Sequence, residues 1–338
     1  MTHSYHRHHR TGLRFLAANI SVCIPNYNRA DNLRQVLRDC SQQTVQPYEI
    51  IVQDDSTDLH EIKKIKKLMK RYPHVRYALN KKNIGLAANV NRVIQKARGN
   101  YVVIVNNDDR LSSEYIEHLE QALKKYPNFN VYATNACAID DRLSVIGEYR
   151  IARCDAVIKK RTGIEMLWGR YMINLISISG AMMYRRSYIQ SHLFDTSFGN
   201  ETDLKNALHM LSTENIMYID VPIYFVRMNA QNTSVQIRAE TEDRNNFIDR
   251  CLTIYRSYEH NFRKVHFFPE TPKSIYFLQL FGKYRYPWRN VLEMLAIKDT
   301  RELFRVLILA ARYPFIHGYD LLQFQLHKKT IERFAPTQ

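Results

Sequence analysis

The chain has 338 residues, with 49 Lys and Arg against 33 Asp and Glu and a formal net charge of +16. Apolar residues make up 45% and Gly and Pro only 10 each, which supplies a buried core and excludes a disordered or fibrous chain. Five cysteines at 23, 40, 137, 154 and 251, none in a C-x-x-C, exclude a small disulfide-stapled module and point to a reducing compartment.

The first ten residues (MTHSYHRHHR) are basic and His-rich, and residues 1–18 read as a frayed leader without a signal-peptide core. Alternation begins after it. Ile20 to Ile24 is a short apolar run closed by Pro25, which predicts a strand. Leu33, Val36, Leu37 and Cys40 recur at helical spacing. Tyr48 to Val52 predicts a second strand, and Leu59 to Arg71 a helix with Ile62, Ile65 and Leu68 on one stripe. Val75 to Leu79 reads as a strand and Gly85 to Ala97 as a helix. Tyr101 to Val105 is apolar throughout, as a central parallel strand should be. A helix from Ser112 to Tyr126 and a strand from Val131 to Ile139 follow.

Strands separated by such helices define a doubly wound α/β sheet, in which ligands bind beyond the C-terminal strand ends. Polar residues collect at those ends: Pro25 to Asn28, Asp54-Asp55, Asn80 to Asn83, and Asn106 to Asp109. Four strand ends feeding one rim are stronger evidence of a site than any single motif. Asp58 reads as a cap for the helix after the second strand, and Asp54 as a ligand contact on the rim. Adjacent carboxylates at Asp108 and Asp109 repel unless a cation lies beside them. Mg²⁺ and Mn²⁺ take oxygen ligands together with substrate phosphates, so the turn implies a diphosphate–metal site. Asp109 is the better of the two acids to cap the helix from Ser112.

Past residue 150 the pattern loosens. A helix near Gly163 to Arg170, a mixed segment from Ile173 to Tyr184, a helix from Leu204 and a strand from Tyr218 to Val226 broken by Pro222 are expected. The last 88 residues carry 14 basic against 7 acidic residues, a net +7, with aromatics among them, and read as amphipathic helices. No stretch reaches the ~20 apolar residues of a membrane span. There is no G-x-x-x-x-G-K-[ST], G-x-G-x-x-G after the first strand, G-x-S-x-G or H-E-x-x-H, and no zinc spacing. Phosphate-loop ATPases and kinases, dinucleotide oxidoreductases, α/β-hydrolases and zinc proteases are disfavoured on that ground.

Three stretches, in order and spacing, resemble the inverting family 2 glycosyltransferases: SVCIPNYNRADNLRQVLRDCSQQTVQPYEIIVQDDSTD from Ser21, NKKNIGLAANVNRVIQKARGNYVVIVNNDDRL from Asn80, and FGNETDLKNAL from Phe198. The resemblance covers roughly residues 19 to 235. It implies the GT-A fold: a mostly parallel central sheet flanked by helices over residues 19–240, with residues 241–338 as a helical, basic and aromatic extension. It also implies transfer of a sugar from a nucleotide-diphosphate donor to a hydroxyl, assisted by Mg²⁺ or Mn²⁺. Carried over by position, Pro25 and Tyr27 line the nucleobase pocket and Asp54 holds the base or ribose. Asn83, Gly85 and Asn89 match the N-x-G-x-x-x-N segment under the nucleotide. Asn106, Asn107 and Asp108 match the D-x-D triplet, with Asp108 as the metal ligand. Asp203 matches the general base, with Glu201 its rival, and Arg227 and Ser234 the segment closing on the donor phosphates.

This chain departs from the pattern in three places. Asn106 replaces the first acid of the triplet, the Asp54 motif is one residue short, and Asn229 stands where many members have His. The resemblance further implies a saccharide or lipid-linked acceptor, placed against Ile178 to Arg186, and a setting in bacterial surface polysaccharide or lipid-linked oligosaccharide assembly. The basic extension suits an anionic membrane surface, on the cytoplasmic face, or equally a homodimer contact. Two other classes stay open. A non-catalytic nucleotide-sugar-binding or scaffold protein would explain Asn106, and a nucleic-acid binder would explain the charge. The enzyme reading accounts for both Asp108 and Asp203 and requires no nucleic acid.

Overall fold

The computed structural model describes residues 19–150, 154–160, 179–197 and 202–228. The leader, the helix expected near Gly163 to Arg170, Glu201, Ser234 and the extension from residue 241 lie outside the described residues.

Three strand–helix–strand crossovers open the chain: β1 (Ile20–Asn26), α1 (Ala30–Ser41), β2 (Glu49–Asp54), α2 (Leu59–Met69), β3 (Arg76–Leu79), α3 (Leu86–Lys96) and β4 (Tyr101–Ile104). β1 is buried along its whole length and β4 likewise, which is why both read as unbroken apolar runs. A two-residue strand β5 (Arg110–Leu111), helix α4 (Tyr115–Lys125), and strands β6 (Val131–Ile139), β7 (Val145–Tyr149) and β8 (Ala156–Ile158) follow. Beyond a 3-10 turn at Ser179–Ala181 come β9 (Met182–Arg185), α5 (Arg186–Ser191), α6 (Thr202–Thr213) and β10 (Ile216–Arg227).

The ten strands among the described residues form one sheet in the order β3-β2-β1-β4-β9-β6-β10-β5, with β7 on β6 and β8 on β10. Its first four strands are all parallel. β9 then joins β4 and β6 antiparallel, and β10 runs parallel to β6. The sheet is therefore mixed: parallel in the half the periodicity describes most clearly, and mixed beyond β4. α3 lies on β1 and β2, and α4 lies on β10. The main apolar core runs from Ile20 through Val103 and Tyr132 to Tyr224, and a small second cluster gathers Cys137, Ile139 and Phe225.

Pro222 does not end its strand. β10 is continuous over 12 residues, and its register against β6 shifts on either side of Pro222. A bulge absorbs the residue that lacks an N–H. β10 thus carries Tyr224 and Arg227 to the C-terminal end of the sheet, beside β5.

Tyr224 is buried and lies directly over Gly180, where a Cβ would fall inside the phenol ring. The Gly180 carbonyl in turn accepts a hydrogen bond from Tyr115 Oη at 2.7 Å. Overpacking of this kind costs about 1–3 kcal/mol. Gly180→Ala should lower the urea midpoint by a matching amount without changing the slope of unfolding; an unchanged midpoint would show that Tyr224 has room to move.

Candidate active site

The C-terminal ends of β1, β2, β3 and β4 meet at one edge of the sheet, and buried amides and carboxylates bind them together. Asn26, at the end of β1, donates from Nδ2 to Asp54 Oδ1 at 3.0 Å, and its Oδ1 accepts from Asn107 Nδ2 at 2.6 Å. Asp54 has no exposed surface. Its Oδ1 also accepts from the Ser56 amide at 3.1 Å, and its Oδ2 from Tyr77 Oη at 2.8 Å. Burial, and then this bond, push the Tyr77 phenol above its usual range. Asp54 therefore does not stand on the open rim as the sequence suggests; it supports the rim from beneath.

Asp55 is buried too and gathers the next loop. Its carboxylate accepts from Asn80 Nδ2 at 2.7 Å and from the amides of Ile84 and Gly85 at 3.0 Å each. Asn89 donates to the Gln53 carbonyl at 3.0 Å and accepts from Asn80 at 2.9 Å. Gly85 opens α3 at φ +85°, a conformation that favours glycine. Asn83 caps its amide from the exposed side at 2.8 Å. Asn28, at φ 48°, ties the first two loops, accepting from the amides of Thr57 and Asp58 at 3.0 Å. Asp58 caps α2 as expected, accepting from the His60 amide at 2.7 Å.

The turn after β4 is held from every side. Arg110 forms a buried bidentate pair with Asp39 of α1, at 2.6 and 2.8 Å. Asp109 accepts from Tyr224 Oη at 2.6 Å, from the Arg227 amide at 3.0 Å and from Asn106 Nδ2 at 3.0 Å. It therefore does not cap α4. That role falls to Gln43, whose Oε1 accepts from the Ile116 amide at 3.0 Å. Arg227 donates from Nε to the Asp108 carbonyl at 3.0 Å and from Nη2 to Gln35 at 2.9 Å. The Asp108 carboxylate forms an ion pair with Arg29, the residue that opens α1.

The expected site residues thus divide in two. Tyr27, 46% exposed, together with Asn83 and Gly85, faces solvent, and Asn106, Asp108 and Asp203 are half-buried. Pro25, Asp54, Asn89, Asn107 and Arg227 are buried and form the floor. α6 starts at Thr202, earlier than expected, so Asp203 lies within its first turn rather than at the capping position. The Tyr184 phenol of β9 is pushed up by burial and, to a lesser degree, by Tyr188 and Asp203.

Among the described residues no group of three or more His, Cys, Asp or Glu stands ready for a metal ion. Asp109 has its oxygens engaged within the protein, which leaves the Asp108 carboxylate and the Asn106 amide oxygen as the oxygen donors of the turn. Such a set suits Mg²⁺ or Mn²⁺ that arrives with phosphate oxygens, which complete the shell, and does not form a cage by itself.

Residues 21–193, more than half the chain, match the profile of glycosyl transferase family 2. The chain belongs to that family. Among its relatives, this family 2 chain is 26% identical over 223 residues to glycosyltransferase GlyA of Streptococcus pneumoniae, covering 64% of this chain and 31% of the relative. It is 23% identical over 260 residues to chondroitin synthase of Pasteurella multocida, covering 76% of this chain and 26% of the relative. The chain therefore spans about a quarter to a third of the length of these relatives. The fold is that of S. aureus TarS residues 1–349 in complex with UDP, with a TM-score of 0.56, 15% identity, and coverage of 82% of this chain and 75% of that one.

Sequence reasoning missed Asp39, Arg110, Gln43, Tyr224 and Arg29. Their partners lie about 70 residues away or more, and no local spacing marks them. The one available signal was the isolated acid Asp39 on the apolar stripe of α1.

The buried Asp109 carboxyl is pushed up to about 7 from 3.8, first by burial and then by the charge on Asp108. Between those values the folded chain binds this proton more tightly than the unfolded chain, so its contribution to stability is lost as pH rises through about 7. Urea unfolding against pH should show that decline in the wild type and not in Asp109→Asn; equal slopes would place the titration elsewhere.

Proposed function

We propose that this family 2 glycosyl transferase moves a sugar from a nucleotide-diphosphate donor to an acceptor hydroxyl, with inversion. The observation that carries the reading is the turn Asn106 to Asp109, fixed at the end of β4 with Arg227 bonded to the Asp108 carbonyl. A half-exposed carboxylate beside a buried guanidinium is suited to a diphosphate leaving group and its counter-cation. Tyr27 offers an exposed ring to a nucleobase, and Asn83 and Gly85 are exposed at the start of α3. Asp54, Asn89 and Asn107 hold these groups in place from below.

The chemistry follows from charge. Negative charge builds on the departing diphosphate, and Arg227 with Ser234 would receive it. Asp108 and Asn106 would hold Mg²⁺ or Mn²⁺, which supplies further compensation there when bound. Asp203 takes the proton from the acceptor hydroxyl as that oxygen attacks the anomeric carbon from the opposite face. One base and no enzymic nucleophile give a single displacement.

The name of the relative chondroitin synthase supports saccharide-polymer chemistry, and the proposal extends it to a saccharide or lipid-linked acceptor in bacterial surface polysaccharide assembly. Among the described residues no helix is long and apolar enough to cross a membrane. The net +7 of the last 88 residues supports attachment to an anionic membrane face, with contact between two copies as the other use of that stretch. Asn106 favours a second reading, in which the chain binds donor without turning it over.

A panel of nucleotide sugars with Mn²⁺ or Mg²⁺ separates the two. Asp203→Asn should retain the donor's thermal shift and lose about 10²–10⁴-fold in turnover. Wild-type turnover in Asp203→Asn would remove it as the base, and a thermal shift without any turnover in the wild type would favour the binding protein.

A further inference from the structure

The ion pair between Arg29 and Asp108 occupies the carboxylate that a metal would need. We propose that Arg29 is a resident cation on this carboxylate: it holds Asp108 while the donor is absent and yields it when a divalent ion arrives with the donor diphosphate. The inference rests on the reading of Asp108 as the metal ligand and adds a positioning residue that sets when the metal can bind.

Asn106 is neutral, and Asp109 is buried with its oxygens taken by Tyr224, Arg227 and Asn106. Asp108 is then the one half-exposed acid of the turn, and the guanidinium of Arg29 cancels it. A guanidinium does not lose its proton, so it cannot make way by neutralising. Two cations on one carboxylate repel, and a divalent ion must displace it. A free divalent ion therefore meets an uncharged site, whereas one carrying a diphosphate brings the anion to which Arg29 can transfer.

The geometry allows the exchange. Arg29 opens α1, and its carbonyl accepts from the Leu33 amide at 3.0 Å, which anchors the backbone. Its side chain is 28% exposed and that of Asp108 17%, so the pair lies at the opening and not in the floor. Tyr27, two residues earlier, is exposed on the same loop. The guanidinium can thus swing between the acidic turn and a ligand beside Tyr27 without moving a strand. An ion pair partly open to water is weaker than a fully buried one and can exchange.

The test is Mn²⁺ alone, titrated into the full chain and read as free Mn²⁺ by electron paramagnetic resonance, with melting curves confirming the fold. Arg29→Gln should bind Mn²⁺ about two- to fivefold more tightly than the wild type, the scale of one partly exposed pair. Arg29→Lys, which keeps the charge, should stay near the wild type and serves if Arg29→Gln fails to fold. Arg29→Gln combined with Asp108→Asn should lose the gain. Affinity in Arg29→Gln equal to or below wild type, with binding lost in Asp108→Asn, overturns the role of Arg29 and leaves Asp108 as the ligand. Wild-type binding in Asp108→Asn overturns the ligand reading itself, and no Mn²⁺ uptake by any of the proteins, with UDP present as well as absent, overturns both.

Discussion

The buried pair of Asp39 and Arg110 is the constraint on which the site depends. Both side chains are over nine-tenths buried and bidentate. Two charges withdrawn from water in this way are costly unless every donor and acceptor is met, so their geometry has little freedom. Asp39 belongs to α1 and Arg110 follows the turn after β4, and the pair therefore fixes the distance between the first helix and the acidic turn. The Leu111 amide adds a third bond to Asp39 at 3.1 Å. From the other side Asp109 takes bonds from Tyr224 and from the Arg227 backbone, which locks the end of β10 to the same turn. Asp108 has no choice of position between these two anchors.

The same principle shapes the rest of the edge. Asp54, Asp55, Asn26, Asn80 and Asn89 are buried polar groups, and each is paired with a neighbouring loop. Leaving such groups unpaired would cost more than their bonds contribute, so the loops are drawn into one arrangement. The result is a rigid floor under an open rim that carries Tyr27, Asn83 and Asp108. Rigid floors are what electrostatic catalysis needs, because charge-compensating groups must already be in place when charge develops.

Much of this was legible in the sequence. The parallel half of the sheet, from β1 to β4, was readable because β1 and β4 are fully buried, β2 nearly so, and the helices between them carry clean stripes. Asp58 was readable as a cap because capping is local. The polar strand ends were readable as one edge because the alternation of strands and helices puts them there. What failed was long-range. Asp54 was placed on the rim, since nothing nearby shows that Tyr77 and Asn26 close over it. Asp109 was given to α4, although its partners come from β10 and the cap comes from Gln43. Pro222 reads as a break in the sequence, because a bulge is a property of two strands and not of one.

The Asp39–Arg110 pair thus positions the acidic turn for a nucleotide diphosphate, beyond its effect on stability. Isothermal calorimetry of UDP, GDP, ADP and CDP with Mn²⁺ tests it in Asp39→Asn and in the apolar double variant Asp39→Leu with Arg110→Met. Breaking one partner of a buried pair costs about 3–5 kcal/mol, whereas apolar replacement of both is often neutral. The account predicts that the double variant regains the stability that Asp39→Asn loses, yet binds the nucleotide preferred by the wild type far more weakly. Wild-type nucleotide affinity in a stable double variant would contradict it.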